Sequence, residues 1–271
     1  MKPYLSVCSI YRDHAEYLRE WIEFHRLVGV ERFILYDNES SDDHRDVLAP
    51  YVERDIVVIH DWPSPASVKR GVPWGIIGAF NDCLERHRRD SRWLAFIDID
   101  EFLFSPTGKA LPEVLAGYEQ YPGVCVTRAD FGTSGHHRQP PGLVIESYLR
   151  RRSYPPGAEA HMKSIVNPAR VVRCLNAHWF DYVDEGFAVD EKEQPVARVL
   201  PFTKSTASLS LLRINHYVTK SEEEFRRKQA QWKAAGRPLE PDPAWFETMD
   251  SESDEAITAY LPALRDALGR A

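Results

Sequence analysis

Over the first hundred residues, short apolar stretches alternate with longer ones of helical spacing, and this alternation limits the possible folds more than any other feature. Residues 4–10, 32–36 and 56–60 are short and rich in aliphatic and aromatic side chains, as is the run Trp93-Leu94-Ala95-Phe96-Ile97. All four read as strands. Residues 14–28 place Tyr17, Leu18, Trp21, Ile22, Phe24, Leu27 and Val28 at helical spacing, and Gly29 follows as a stop. Residues 42–51 and 74–89 read as further helices, separated by a strand and a loop marked by Pro63, Pro65, Gly71 and Pro73. Such alternation builds a parallel sheet with helices on both faces. The expected fold is therefore α/β, with a mostly parallel central sheet.

The second half is less regular and is expected to be mixed. Strands are expected over 123–129, within 161–174 and within 209–218, and residues 143–148 read as either helix or strand. Ser221 opens a helix to about residue 232, with Glu222, Glu223 and Glu224 in the first turn, where they suit the dipole. The tail after Gly236 is rich in proline and acid, and closes in a helix near 255–268.

Ligands of parallel α/β sheets sit beyond the C-terminal ends of the strands. Three polar clusters fall there: Tyr11-Arg12-Asp13, Asp37-Asn38-Glu39 and Asp98-Ile99-Asp100. In the third, an apolar strand breaks into Asp98, Asp100 and Glu101 and then resumes as Phe102-Leu103-Phe104. Residues two apart on a strand share a side, so Asp98 and Asp100 are expected to converge. Converging carboxylates repel and lose solvation unless a cation lies between them. A divalent ion with water or diphosphate oxygens completing its shell fits so sparse a ligand set. The ordinary alternative is a strand end with solvated acids. Asp37 has a similar alternative, since Asp-Asn-Glu-Ser is good turn chemistry.

Bulk properties narrow the field. A chain of 271 residues with 43% hydrophobic content can bury one sizeable core. A net charge of −7 and a pI near 5.8 argue against a nucleic-acid partner. No apolar run reaches membrane-spanning length. Residues 1–10 do not read as a signal peptide, and the four cysteines are widely spaced with no C-x-x-C, which favours reduced thiols. The expected location is the cytoplasm, with peripheral contact at the inner membrane face left open.

These blocks together resemble the GT-A fold of nucleotide-sugar glycosyltransferases, and more closely glycosyltransferase family 92 and its glycosyltransferase-2-like relatives. The matching stretches include Cys8-Ser9-Ile10-Tyr11-Arg12-Asp13, Glu20-Trp21-Ile22-Glu23-Phe24-His25, Leu35-Tyr36-Asp37-Asn38-Glu39-Ser40 and Asp98-Ile99-Asp100-Glu101-Phe102. They continue through Phe131-Gly132-Thr133-Ser134-Gly135-His136, Lys163-Ser164-Ile165-Val166 and Asn215-His216-Tyr217. The likeness runs over roughly residues 4–230 and omits the tail.

The resemblance implies one domain over 1–271: a nucleotide-binding half (1–104), an acceptor-binding half (105–235) and a helical tail (236–271). It implies a nucleoside-diphosphate sugar, of uridine type, as donor, with Mn2+ or Mg2+ as cofactor. The acceptor would be a carbohydrate, glycolipid or protein, and the transfer inverting. Asp100 would ligate the metal, Asp98 would hold metal or ribose, and His216 would be a late metal ligand, with His178 as its competitor. Arg12, Asp13 and Asp37 would line the nucleotide pocket, while Lys163, ahead of Lys220, would meet the diphosphate. An inverting transfer needs a carboxylate base; Asp130 is the first candidate, with Glu146, Asp181, Asp184 and Glu185 also open. Trp179, Phe180 and Tyr182 are candidates for an exposed acceptor platform. Two alternatives stand beside this reading. A nucleotidyltransferase uses a similar acidic pair but usually carries an early glycine-rich phosphate loop, which is missing after Ile10. A non-catalytic sugar- or nucleotide-binding module would need neither metal nor base.

Overall fold

The computed structural model describes residues 2–63, 74–196, 204–234 and 243–270. The chain begins β1 (Leu5–Tyr11), α1 (Ala15–Leu27), β2 (Arg32–Asp37), α2 (His44–Val52), β3 (Val57–Asp61), α3 (Trp74–His87) and β4 (Trp93–Phe96). β5 (Glu101–Phe104), α4 (Leu111–Leu115), β6 (Gly123–Asp130), α5 (Val144–Ser147), β7 (Arg150–Arg151) and β8 (Glu159–Val166) follow. Then come β9 (Val171–Asn176), β10 (Trp179–Tyr182), β11 (Ala188–Val189), β12 (Lys204–Thr206) and β13 (Arg213–His216). The chain closes with α6 (Glu222–Ala234), α7 (Pro243–Met249), β14 (Glu252–Ser253) and α8 (Leu261–Arg270).

The main sheet runs β3-β2-β1-β4-β8-β6-β13-β5. Its first four strands are parallel, as the alternation predicts. Their C-terminal ends, Asp61, Asp37, Tyr11 and Phe96, therefore open on one edge of the sheet. β8 then enters antiparallel to both β4 and β6. β6 changes partner along its length: residues 123–127 pair with β8, and Arg128, Ala129 and Asp130 pair with β13. β13 pairs antiparallel with β5 on its other side. The mixed second half therefore lies beside the end of β4, where β5 starts only a few residues later.

Burial explains the helices. Tyr17, Leu18, Trp21, Ile22 and Phe24 of α1 are all buried against the sheet. Truncating Trp21 or Phe24 to alanine would cost about 3–5 kcal/mol by loss of contacts and cavity formation. The helix stops where expected: Gly29 has φ +103°, and Val30 N–H donates to the His25 carbonyl at 2.9 Å, in the manner of a Schellman cap. A Cβ at Gly29 would meet the Pro112 ring at 2.5 Å, so side chains are excluded there on two grounds. All four cysteines are buried and unpaired, as the spacing suggests.

Three expectations need correction. Residues 161–174 form not one strand but β8 and β9, broken by a 3-10 turn at Pro168–Arg170 that Asn167 caps through its side chain. Proline cannot continue the ladder. Only Arg213–His216 of the 209–218 stretch is strand. The aromatics of β10 do not make an exposed platform: Phe180 and Tyr182 are buried in a second core cluster, and Trp179 packs against it. Segment 143–148 resolves as the short helix α5. Of the loop prolines and glycines, Pro65, Gly71 and Pro73 lie outside the described residues, as does the start of the tail.

Candidate active site

The acidic sequence is a turn rather than a strand. β4 ends at Phe96, and Asp98 to Asp100 cross to β5. The backbone closes the turn, with Glu101 N–H donating to the Asp98 carbonyl at 3.0 Å and Tyr217 N–H to the Asp100 carbonyl at 2.8 Å. Asp98 and Asp100 therefore do not share a partner as strand neighbours would. Asp98 accepts from Lys163 Nζ at 2.8 Å, and its own N–H donates to Glu101 Oε2 at 3.0 Å. Asp100 accepts from Lys228 Nζ at 2.6 Å. Burial disfavours ionisation of both acids, but the lysines prevail: Lys163 holds Asp98 below the usual carboxylate range, and Lys228 holds Asp100 well below it. Glu101, wholly buried, goes the other way: its burial outweighs Lys163, 3.5 Å away, and raises its pKa.

The ends of β6 and β13 supply the facing groups. His216 Nδ1 lies 2.7 Å from Asp130 Oδ1, and Arg128 Nε lies 3.1 Å from the same oxygen. Burial opposes charge on Asp130, yet Arg128 and the His216 contact keep its carboxyl well below the ordinary range. An ionised carboxylate only accepts, so Nδ1 of a neutral His216 ring must carry the proton. That leaves the Nε2 lone pair free, 3.7 Å from Asp100 Oδ2. The neighbouring parallel strands β6 and β13 position this pair, with Phe131 N–H donating to the His216 carbonyl at 2.8 Å.

In front of Asp100 is an open cleft of ≈ 200 Å³, lined by Asp13, His14, Lys220, Arg227 and Lys228 among others. Lys220 has φ +51° and stands 3.8 Å over the Tyr17 ring; burial lowers its pKa, against the pull of Asp100. The base of α6 is fixed by a capping box: Glu224 N–H donates to Ser221 Oγ, and Ser221 N–H to Glu224 Oε2 at 3.0 Å. Glu224 also accepts from the hydroxyls of Tyr17 and Tyr148, so α1 and α6 are tied together at the cleft.

The structure places the other candidates as follows. Asp13, at φ +54°, accepts from Ser41 N–H at 2.6 Å, and Arg12 beside it is largely exposed. Asp37 accepts from Ser40 N–H at 2.9 Å and sets its second oxygen 3.3 Å from His44 Nε2. Lys163 is 1% exposed and holds Asp98 and Glu101, which turns it away from a diphosphate role. His178 donates from Nδ1 to the Met162 carbonyl at 2.8 Å, and burial lowers its pKa to about 3. Glu146 pairs with Arg265 and Asp181 with Arg173, while Asp184 and Glu185 take left-handed turn conformations. Sequence reasoning missed Lys228, Arg128 and the Glu224 hub. Lys228 carried no signal, but Arg128 stands two residues before Asp130 at the end of an expected strand, and Glu224 shows in the Ser221 to Glu224 spacing.

The donor set can be tested against a divalent ion. Among the described residues no group of three or more His, Cys, Asp or Glu side chains is arranged to hold one. The pair Asp100 Oδ2 and His216 Nε2 nevertheless fits an ion that takes one carboxylate and one imidazole from protein and the rest from phosphate and water. The hydrogen bond from Nδ1 to Asp130 is the usual support of a ligating histidine.

Comparison with known proteins places this site in context. A family 92 protein of Oryza sativa subsp. japonica is 37% identical over 168 residues, 60% of this chain and 27% of that protein. One of Ricinus communis is 30% identical over 233 residues, 84% of this chain and 38% of that protein. A galactan beta-1,4-galactosyltransferase of Arabidopsis thaliana is 32% identical over 107 residues, 38% of this chain and 20% of that protein. The matched stretches thus span well under half of these relatives. Among solved structures, residues 1–349 of S. aureus TarS align with a TM-score of 0.44 at 10% identity, over 90% of this chain and 68% of that one. The model of glycosyltransferase family 92 matches residues 4–241, and the chain belongs to that family.

Proposed function

We propose that the chain is a metal-assisted glycosyltransferase that moves a sugar from a nucleoside diphosphate, of uridine type, to a hydroxyl of a carbohydrate, glycolipid or protein. The observation that carries this reading is Asp100, on the wall of a cleft whose other charges include Lys220, Lys228 and Arg227, with His216 Nε2 3.7 Å from its Oδ2. When bound there, Mn2+ or Mg2+ would act as a Lewis acid on the departing diphosphate. Lys220 and Lys228 suit the same charge as it develops, in a partly dry site where such contacts are strong. The left-handed turn at Asp13 and the Asp37 turn, at the ends of β1 and β2, suit the nucleoside. An inverting transfer also needs a proton acceptor at the incoming hydroxyl. Asp130 is poorly suited to it, because Arg128 and His216 already hold its charge; we assign it to orienting His216.

Titration calorimetry with UDP, GDP and ADP, each with and without Mn2+, tests the reading. UDP binding tightened by Mn2+, followed by slow hydrolysis of a UDP-sugar, is the expected result. UDP-galactose heads the donor panel because relatives named galactan beta-1,4-galactosyltransferase share part of the chain. No binding of any nucleoside diphosphate would overturn the proposal.

A further inference from the structure

The family match ends at residue 241, yet the segment that follows reaches back to both strands that carry the site. We propose that Asp250 and Asp254 of this segment are positioning residues that hold the Asp130–His216 pair in place. The inference takes that pair as site groups, as proposed above.

Asp254 is 9% exposed and accepts from Arg151 Nε at 2.6 Å and from Arg213 Nη2 at 3.0 Å. Arg213 opens β13, and its Nε donates to Asn215 Oδ1 at 2.9 Å, one residue before His216. Asn215 in turn donates to the Tyr217 hydroxyl at 3.3 Å. Asp254 thus fixes side chains that flank His216 along its strand. Its backbone is tied as well: Asp254 N–H donates to the Leu149 carbonyl at 2.7 Å, and β14 pairs with β7.

Asp250 holds the other strand's exit. It accepts from Thr133 Oγ1 and from Ser134 N–H, both at 2.8 Å, in the loop that follows Asp130 and Phe131. Ser134 sits at φ +51°, a conformation that needs such support. Gly132 leaves the room for it: a Cβ there would lie 2.3 Å from Asp250 Oδ1. The basic run Arg150-Arg151-Arg152 also finds its anion here, within the chain. Arg150 Nε donates to the Asp250 carbonyl at 2.8 Å, and Arg151 pairs with Glu252 and Asp254. Both carboxylates therefore act through neighbours of Asp130 and His216, and neither lines the cleft.

The test compares wild type with Asp250→Asn, Asp254→Asn and Asp254→Glu, and with Glu255→Gln as an exposed control from the same segment. Two readouts are taken at neutral pH: UDP affinity in the presence of Mn2+, and the two-bond proton–nitrogen spectrum of the His216 ring, which reports its tautomer. Loss of outer support of a ligand typically weakens binding on the order of tenfold. That loss is expected for both Asn variants, with His216 leaving its single Nδ1–H form, partial rescue by Asp254→Glu, and no change in Glu255→Gln. Wild-type affinity and a wild-type ring spectrum in the folded Asn variants would overturn the inference. If Asp254→Asn does not fold, Asp250→Asn decides alone. If wild type binds no UDP, the functional reading fails, and the ring spectrum still decides whether the segment positions His216.

Discussion

The acids at the ends of β1 and β2 and those around β4, β6 and β13 are built in different ways. Asp13 and Asp37 are satisfied chiefly by backbone, the N–H groups of Ser41 and Ser40 in the turn after β2. Asp98 and Asp100 are satisfied by cations brought from far along the chain, Lys163 and Lys228, and Asp130 by Arg128 of its own strand together with His216 from β13. The first arrangement makes a shaped rim, since a carboxylate bonded to backbone in a turn mainly fixes the turn. The second makes a charged centre in which removing one member leaves a buried charge exposed to no partner. The sheet sets both at one edge, as the nucleoside diphosphate proposed above would require.

This contrast can be broken by mutation. The largest effect is expected at Asp100. Asp100→Ala should reduce donor turnover on the order of a thousandfold, because an ion at the leaving diphosphate supplies several kcal/mol, while circular dichroism shows an intact fold. Undiminished turnover in a folded Asp100→Ala protein would place the chemistry elsewhere.

A comparable effect, on stability rather than rate, is expected at Lys163. Lys163→Met leaves Asp98 without its lysine and Glu101 with Arg128 alone, and breaking a buried pair in this way costs about 3–5 kcal/mol. Asp13→Asn, on the rim, removes a charged acceptor from an accessible turn and should cost about 1 kcal/mol. Urea unfolding of the two variants measures the difference. Equal losses would mean that centre and rim are held alike.

A smaller effect is expected from pH. His25 is wholly buried; it donates from Nδ1 to the Trp21 carbonyl at 2.8 Å and accepts at Nε2 from Leu103 N–H of β5 at 3.1 Å. Burial depresses its pKa to about 3. A histidine depressed in this way contributes stability that is present above its unfolded value, near roughly 6.5, and is lost as pH falls from there toward the folded value. His25 alone should cost about 2 kcal/mol between pH 7 and pH 5, and His178 has the same sign. Urea midpoints at the two pH values check this, and His25→Gln should flatten the dependence if the group is assigned correctly.

The same contrast explains what the sequence could disclose. Strands β1 to β4 and helices α1 and α3 lie within a few residues of their expected bounds, because apolar periodicity and the stop at Gly29 are local signals. The acidic break after β4 was legible as a cluster of carboxylates, but its strand geometry was misread, since Asp98 and Asp100 leave β4 before their side chains are placed. Most partners of those acids were illegible. Lys228 lies on the exposed-looking helix α6, and nothing in its neighbours indicates that it reaches Asp100. Arg128, two residues before Asp130 on the same side of β6, was a local signal left unread, whereas only the pairing of β6 with β13 brings His216 to Asp130. The β10 aromatics were misplaced because an alternating Trp-Phe-Asp-Tyr run does not say which face is covered.

The central claim is that Asp100 and His216, far apart in the sequence, hold one ion against a diphosphate. Manganese affinity in the presence of UDP, measured for wild type and His216→Ala, tests it most directly. The account predicts a loss on the order of ten- to a hundredfold in the variant, with UDP affinity falling alongside it. Equal manganese affinities in the two proteins would contradict the account and leave His216 as a structural partner of Asp130.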